Sequence, residues 1–293
     1  MEYDFWVCDL WNDWALDLLQ DPVYVREMHW HALRLFRHNG EKFERFINEL
    51  WTGDAWWNVQ SKLPAGALPF CIILYADKTK LSSIGTQKGY PVYTQCPNLP
   101  AELRNGVGLA GGRMVKEDAD KSRKKMFVDF RCVVWHTAFG VLLKLLKEYA
   151  PTGVSILCGD DVVRLLILII LILSVDHEEQ CVMAAVRGFC SGFPCPVCLV
   201  PQDWQYMMTK RYSLRTVEEM HAEFLAASAG NHQSREDNLK AIGLRNVESL
   251  ASSIIMGCPP PPGSHLGGLA HLYSPLCPML DARSVQPALA TEI

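Results

Sequence analysis

Phe70-Cys71-Ile72-Ile73-Leu74-Tyr75-Ala76-Asp77 and Leu165-Leu166-Ile167-Leu168-Ile169-Ile170-Leu171-Ile172-Leu173-Ser174-Val175-Asp176 are two apolar runs that each end in an aspartate. Runs of this length, rich in Ile and Leu and closed by charge, suit central strands covered on both faces of a sheet. The second run spans residues 165–175, about half of the roughly 20 residues a membrane-spanning helix needs, so no membrane segment is expected. A carboxylate at the end of each of two buried strands is a donor pair for a divalent cation. Shortly after the second lies Cys195-Pro196-Val197-Cys198, a thiol pair at the spacing of a zinc knuckle.

Elements on either side of these runs set the fold class. Tyr90–Cys96 reads as a second strand, closed by Pro97-Asn98-Leu99-Pro100, and residues 107–115 as a weaker third interrupted by glycines. Trp135, Phe139, Leu142, Leu143, Leu146 and Tyr149 recur at helical spacing up to Pro151-Thr152-Gly153. After the strand ending at Asp176, residues 177–188 read as another helix, with Cys181 on its apolar side. Three strands, a helix, a strand with a terminal Asp and a helix is the element order of a ribonuclease-H-like core. The expected class is therefore α/β: a partial ribonuclease-H-like core, a mixed sheet with flanking helices, preceded by a helical N-terminal region.

In that N-terminal region Pro22 is a first helical residue after Asp21, with the pattern continuing through Met28, Leu33 and Phe36 to a stop at Asn39-Gly40. A second helix is expected over residues 42–51. Trp56-Trp57 then sit in a polar loop, either pinning helices to the core or stacking on bases, packing being the commoner use of large aromatics. The domain reading is residues 1–66 helical, 67–200 the core with its C-x-x-C insertion, 201–256 a helical insertion opened by the capping box Thr216-Val217-Glu218-Glu219, and 257–293 a Pro- and Gly-rich tail without periodicity, expected to be disordered.

Charge and cysteine content bound the function classes. The chain of 293 residues carries formal charge −4, with a pI near 6.1, so nucleic-acid binding has to come from local patches. Lys121-Ser122-Arg123-Lys124-Lys125 is the densest basic cluster: a solvated face, a phosphate contact or a weak nuclear-entry signal. The eleven cysteines follow an acidic start without a secretory pattern, which predicts reduced thiols in an intracellular protein. The Gly106–Gly112 stretch fits neither a dinucleotide fingerprint nor a P-loop. For Cys195 and Cys198, zinc ligation fits better than thioredoxin-type redox chemistry, which needs the pair at a helix start. Cys190, Cys181 and His177 are near enough in sequence to add ligands, although Cys181 also reads as core.

Several strings, among them 74–83 (Leu-Tyr-Ala-Asp-Lys-Thr-Lys-Leu-Ser-Ser), 85–92, Asn98-Leu99-Pro100, 171–181 and Cys195-Pro196-Val197-Cys198-Leu199-Val200-Pro201, closely resemble the Plavaka transposases of basidiomycete fungi, relatives of the CACTA (EnSpm) DNA transposons. The resemblance runs from about Leu18 to about Leu250. It implies a DDE-type transposase in the nucleus that cuts and joins DNA at transposon ends. Asp77 and Asp176 would be the first two catalytic carboxylates, holding Mg2+ or Mn2+, and Cys195 and Cys198 half of a zinc site. Two departures from the family pattern stand out. A few residues are missing where Val115 passes straight to Lys116-Glu117-Asp118, which predicts a shortened third strand. The chain also turns at Gly257-Cys258-Pro259 into the tail instead of continuing to an Asp-x-x-His motif and a catalytic Glu, so a C-terminally truncated protein is expected whose DNA-cutting activity is ancestral and lost with the third carboxylate. The alternative is an inactive remnant that serves as a DNA- or zinc-binding interaction module.

Overall fold

A computed structural model describes residues 9–76, 79–80, 88–105, 112–117, 125–207, 209–228, 230–247 and 271–272. The chain divides into two compact units, Met1–Val175 with Ser249–Leu272, and Asp176–Glu248 with Tyr273–Ile293.

In the first unit a π-helical turn leads into α1 (Leu16–Gln20), and α2 (Pro22–Glu27) starts with Pro22 at N1 and the Asp21 carboxylate accepting from the Val23 N–H at 2.7 Å. The helix expected to continue to Asn39 stops at Glu27. The His29 N–H donates to the Asn98 carbonyl at 2.7 Å and the His29 ring stacks on Trp51 at 4.0 Å, which holds the chain extended. Leu35–His38 (β1) and Phe43–Phe46 (β2) then form an antiparallel hairpin where helix was expected. Asn39-Gly40 supplies its turn: Asn39 Oδ1 accepts from the Glu41 and Lys42 N–H groups, and Gly40 takes φ +102°. Trp56 and Trp57 lie on a short helix, α3 (Asp54–Gln60), not in a loop. Trp56 is fully buried, in accord with the packing reading, while Trp57 is partly exposed with the Arg34 guanidinium 4.1 Å over its ring.

The main sheet is built on β3 (Ala67–Ala76), with the two-residue β4 (Thr79–Lys80), β5 (Lys88–Gln95), and then, after α4 (Ala101–Arg104), β6 (Gly112–Glu117). Helices α5 (Lys125–Leu142) and α6 (Lys144–Tyr149), broken at Leu143, precede β7 (Val154–Leu157) and β8 (Val163–Ser174). β3 pairs antiparallel with β5 and parallel with β8; β5 pairs antiparallel with β6, and β7 antiparallel with β8. The third strand is not curtailed at Val115, since β6 stays paired with β5 through Lys116 and Glu117. β7 was not anticipated; its four residues follow directly on the Gly153 helix stop and are too few to show a period. Of the tail, His271–Leu272 are described and form β9, parallel to Ile172–Leu173; its other residues lie outside the described ones.

Both faces of the two central strands are covered, as continuous apolar runs require. On one face Cys71, Ile167, Ile169 and Leu171 pack with Trp51, Trp56 and Val59. On the other, the Phe70 ring meets Trp11 at 6.4 Å and Trp14 at 6.2 Å. Asn98, fully buried, ties the layers together. Its Oδ1 accepts from Cys71 N–H at 2.9 Å, and its Nδ2 donates to the carbonyls of His29 and Pro69.

In the second unit α7 (His177–Met183) is shorter than expected. Ala185 adopts φ +52° and Val186 turns into an antiparallel bridge with Leu244. Cys181, Ala184, Val186, Ala227, Leu239 and Leu244 form the core, with α8 (Val217–Ser228) and α9 (His232–Ala241) around it. Thr216 Oγ accepts from the Glu219 N–H at 3.2 Å, as the capping box predicts.

Candidate functional site

The parallel register of β3 and β8 runs from Ala67↔Leu165 to Tyr75↔Ser174, with one shift between Ile72 and Ile73. These two strands therefore finish together at one edge of the sheet. Asp77 and Asp176 each come two residues after the last pair, Tyr75↔Ser174. Asp77 lies outside the described residues, as does most of the Lys121–Lys125 cluster.

Asp176 is exposed and caps α7, its Oδ1 accepting from the Glu179 N–H at 2.8 Å. That bond is an ordinary helix cap that engages one of the two carboxylate oxygens. Glu179, one turn along, is 2 % exposed, and its Oε2 has no hydrogen-bond partner among the described residues. Burying an unsatisfied carboxylate oxygen is costly. Sequence reading passed over Glu179 because nothing in His177-Glu178-Glu179 separates the buried acid from the exposed one.

Val197 N–H donates to Cys195 Sγ at 3.4 Å, folding the C-x-x-C into a tight turn. A short ribbon continues it, with Cys198 bridged to Leu214, Leu199 N–H donating to Ser213 O at 2.9 Å, and Arg215 N–H to Val197 O at 2.8 Å. His177 and Cys181, one turn apart on α7, approach to 3.6 Å between Nδ1 and Sγ. Burial, reinforced by nearby Cys195, pushes the Cys181 thiol up to about 12.

Arg215 is 6 % exposed and donates to the carbonyls of Cys195 (2.9 Å), Phe193 (3.0 Å) and Ile242 (3.3 Å). Among the described residues it forms no ion pair with a carboxylate, yet it lies within electrostatic reach of Cys195, Cys198 and Cys181. Burial holds its pKa below the ordinary guanidinium value. No sequence signal marks Arg215, which follows Cys198 at a distance fixed by the ribbon's fold. Among the described residues, no three His, Cys, Asp or Glu side chains converge as a metal-binding group.

A family model described as Plavaka transposase matches residues 1–250. The chain belongs to the Plavaka transposase family. No curated protein matches it. Membership makes this a transposon-derived transposase, and DNA is the partner such proteins act on. The Plavaka match takes in the paired ends of β3 and β8, the cap at Asp176, the Cys195/Cys198 turn and the ribbon to Arg215. No helix among the described residues is long and apolar enough to cross a membrane.

Proposed function

We propose that this Plavaka chain is a DDE-type nuclease core of ribonuclease-H-like fold, in which Asp77 and Asp176 hold Mg2+ or Mn2+ for cleavage and strand transfer at transposon ends. The observation that carries the reading is the parallel pairing of β3 with β8 through Tyr75↔Ser174, each strand followed two residues later by an aspartate. The strand order β6-β5-β3-β8, with only the last pair parallel, supports the ribonuclease-H-like assignment. The donor set fits a hard cation. Asp176 uses Oδ1 in the helix cap, and the buried Glu179 Oε2, one turn along the same helix, has no hydrogen-bond partner among the described residues. A divalent cation there supplies activation of the attacking oxygen and charge neutralisation on the leaving one. The Glu179 N–H keeps the Asp176 carboxylate in a single orientation, so little ordering remains to be done when DNA arrives.

By the resemblance, zinc would be held by Cys195 and Cys198; among the described residues these thiols form no three-donor group with His177 and Cys181, so a closed zinc site needs those donors to move in. Thiolates there would give the Arg215 guanidinium the countercharge that three carbonyls do not. The role would be structural, fixing the ribbon. A role on chromosomal DNA would put the protein in the nucleus.

The test is nicking of supercoiled DNA carrying the transposon ends, with Mn2+ added. Wild type is expected to nick and an Asp77→Asn/Asp176→Asn double variant not to; equal nicking by the two would contradict the assignment. A second reading, an inactive DNA- or zinc-binding module, rests on the departure of residues 257–263 from the family pattern. It predicts bound zinc with no metal-dependent nicking.

A further inference from the structure

His177, the residue after Asp176, stacks on Phe189 with ring centroids 4.2 Å apart. The Phe189 carbonyl accepts from Gln202 Nε2 at 3.2 Å, and Gln202 opens the 3-10 turn that ends at Trp204. Lys210 Nζ then sits 3.5 Å from the centroid of the Trp204 ring. A continuous set of contacts thus leads from the candidate catalytic carboxylate to a surface of large exposed rings: Phe189 is 59 % exposed, Trp204 43 % and Tyr206 77 %. Three large exposed rings on one small unit are a candidate contact surface. Its charge selects the partner. Lys210 and Arg211 are exposed and outnumber the one exposed acid of this stretch, Asp203 beside Trp204, in a chain of formal charge −4.

We infer that Phe189, Trp204, Tyr206, Lys210 and Arg211 form a binding site for unstacked nucleotides of a DNA strand adjoining Asp176. The rings receive base faces and the two cations receive phosphates. Ring faces meet base faces only where the strand is out of the duplex stack, so the site takes single-stranded DNA in preference to duplex. The inference rests on the reading that the chain acts on DNA through Asp176.

Binding of a fluorescein-labelled oligothymidine and of a duplex of the same length to the full chain, followed by anisotropy in EDTA, tests it without involving catalysis. Phe189→Ala and Tyr206→Ala are each expected to weaken single-strand binding about tenfold, with Tyr206→Phe restoring it. Lys210→Ala/Arg211→Ala is expected to flatten the dependence of log affinity on log salt by about 0.7 per lost contact. Unchanged affinity in these variants, duplex binding as tight as single-strand binding, or loss of self-association in place of oligonucleotide binding would each overturn the site. Calorimetry with Mn2+ on the same variants separates the two readings. Intact metal binding with oligonucleotide affinity indifferent to these residues removes only this site. Oligonucleotide affinity that depends on the rings in a protein whose Asp77 and Asp176 bind no metal removes the catalytic reading and leaves the site standing.

Discussion

At Asp176 one side chain caps α7 through Oδ1 and, in the proposed function, also binds metal, and substitutions can separate the two roles. Asp176→Asn keeps a capping oxygen and removes the charge. It is expected to lose Mn2+ binding in calorimetry while the thermal midpoint stays within error. Asp176→Ala removes both and should in addition cost about 1 kcal/mol of stability by urea unfolding. Glu179→Gln is expected to weaken Mn2+ binding without unfolding the second unit, since an amide fills the same space. At Arg215, Arg215→Ala leaves the carbonyls of Phe193, Cys195 and Ile242 without their donor and should cost about 3 kcal/mol in urea unfolding, on the scale of a few lost buried bonds. A cost below 1 kcal/mol would show that water takes over the role of the guanidinium.

Among the elements, those whose packing is dictated by composition were legible. β3 and β8 follow from apolar runs, β5 from its Tyr-, Val- and Thr-rich stretch closed by Pro97-Asn98-Leu99-Pro100, and the helix after Thr216 from its capping box. The helix expected over residues 22–39 failed because its apolar spacing suits a helix locally, while His29 is claimed by Asn98 and Trp51, far away in sequence. Asn39-Gly40, read as a helix stop, is a hairpin turn; the same dipeptide serves both, and only pairing of the flanks distinguishes them. The position of Asp176 after β8 and the close spacing of Cys195 and Cys198 were legible, while their metal-binding roles stand as proposals. Glu179 and Arg215 were not, because burial and carbonyl geometry leave no local signature. Asn98 joins three elements, so Asn98→Ala, which orphans the Cys71 N–H and two carbonyls, is expected to lower stability by about 3 kcal/mol and to raise hydrogen exchange along β3.

For the molecule as a whole, buried thiols set the alkaline limit of stability. Burial raises Cys71 well above its ordinary value and Cys96 and Cys181 to about 12. A raised thiol pKa means that the folded state favours the neutral form. The contribution is complete below the unfolded value of 9.0 and is lost as pH rises from there toward about 12. Thermal midpoints are therefore expected to fall above pH 9, and less steeply in Cys96→Ala than in wild type relative to each protein's neutral-pH value. Zinc loading acts in the opposite direction, since thiolates bound to metal no longer have to be protonated. The central proposal is that Asp77 and Asp176, each following in sequence the paired ends of β3 and β8, bind a divalent cation. Calorimetric titration of Mn2+ into the full chain, wild type beside Asp77→Asn/Asp176→Asn, addresses it most directly. Saturable binding in wild type that vanishes in a variant of unchanged circular dichroism is the predicted result; absence of binding in a folded wild type, or equal binding by both proteins, would contradict it.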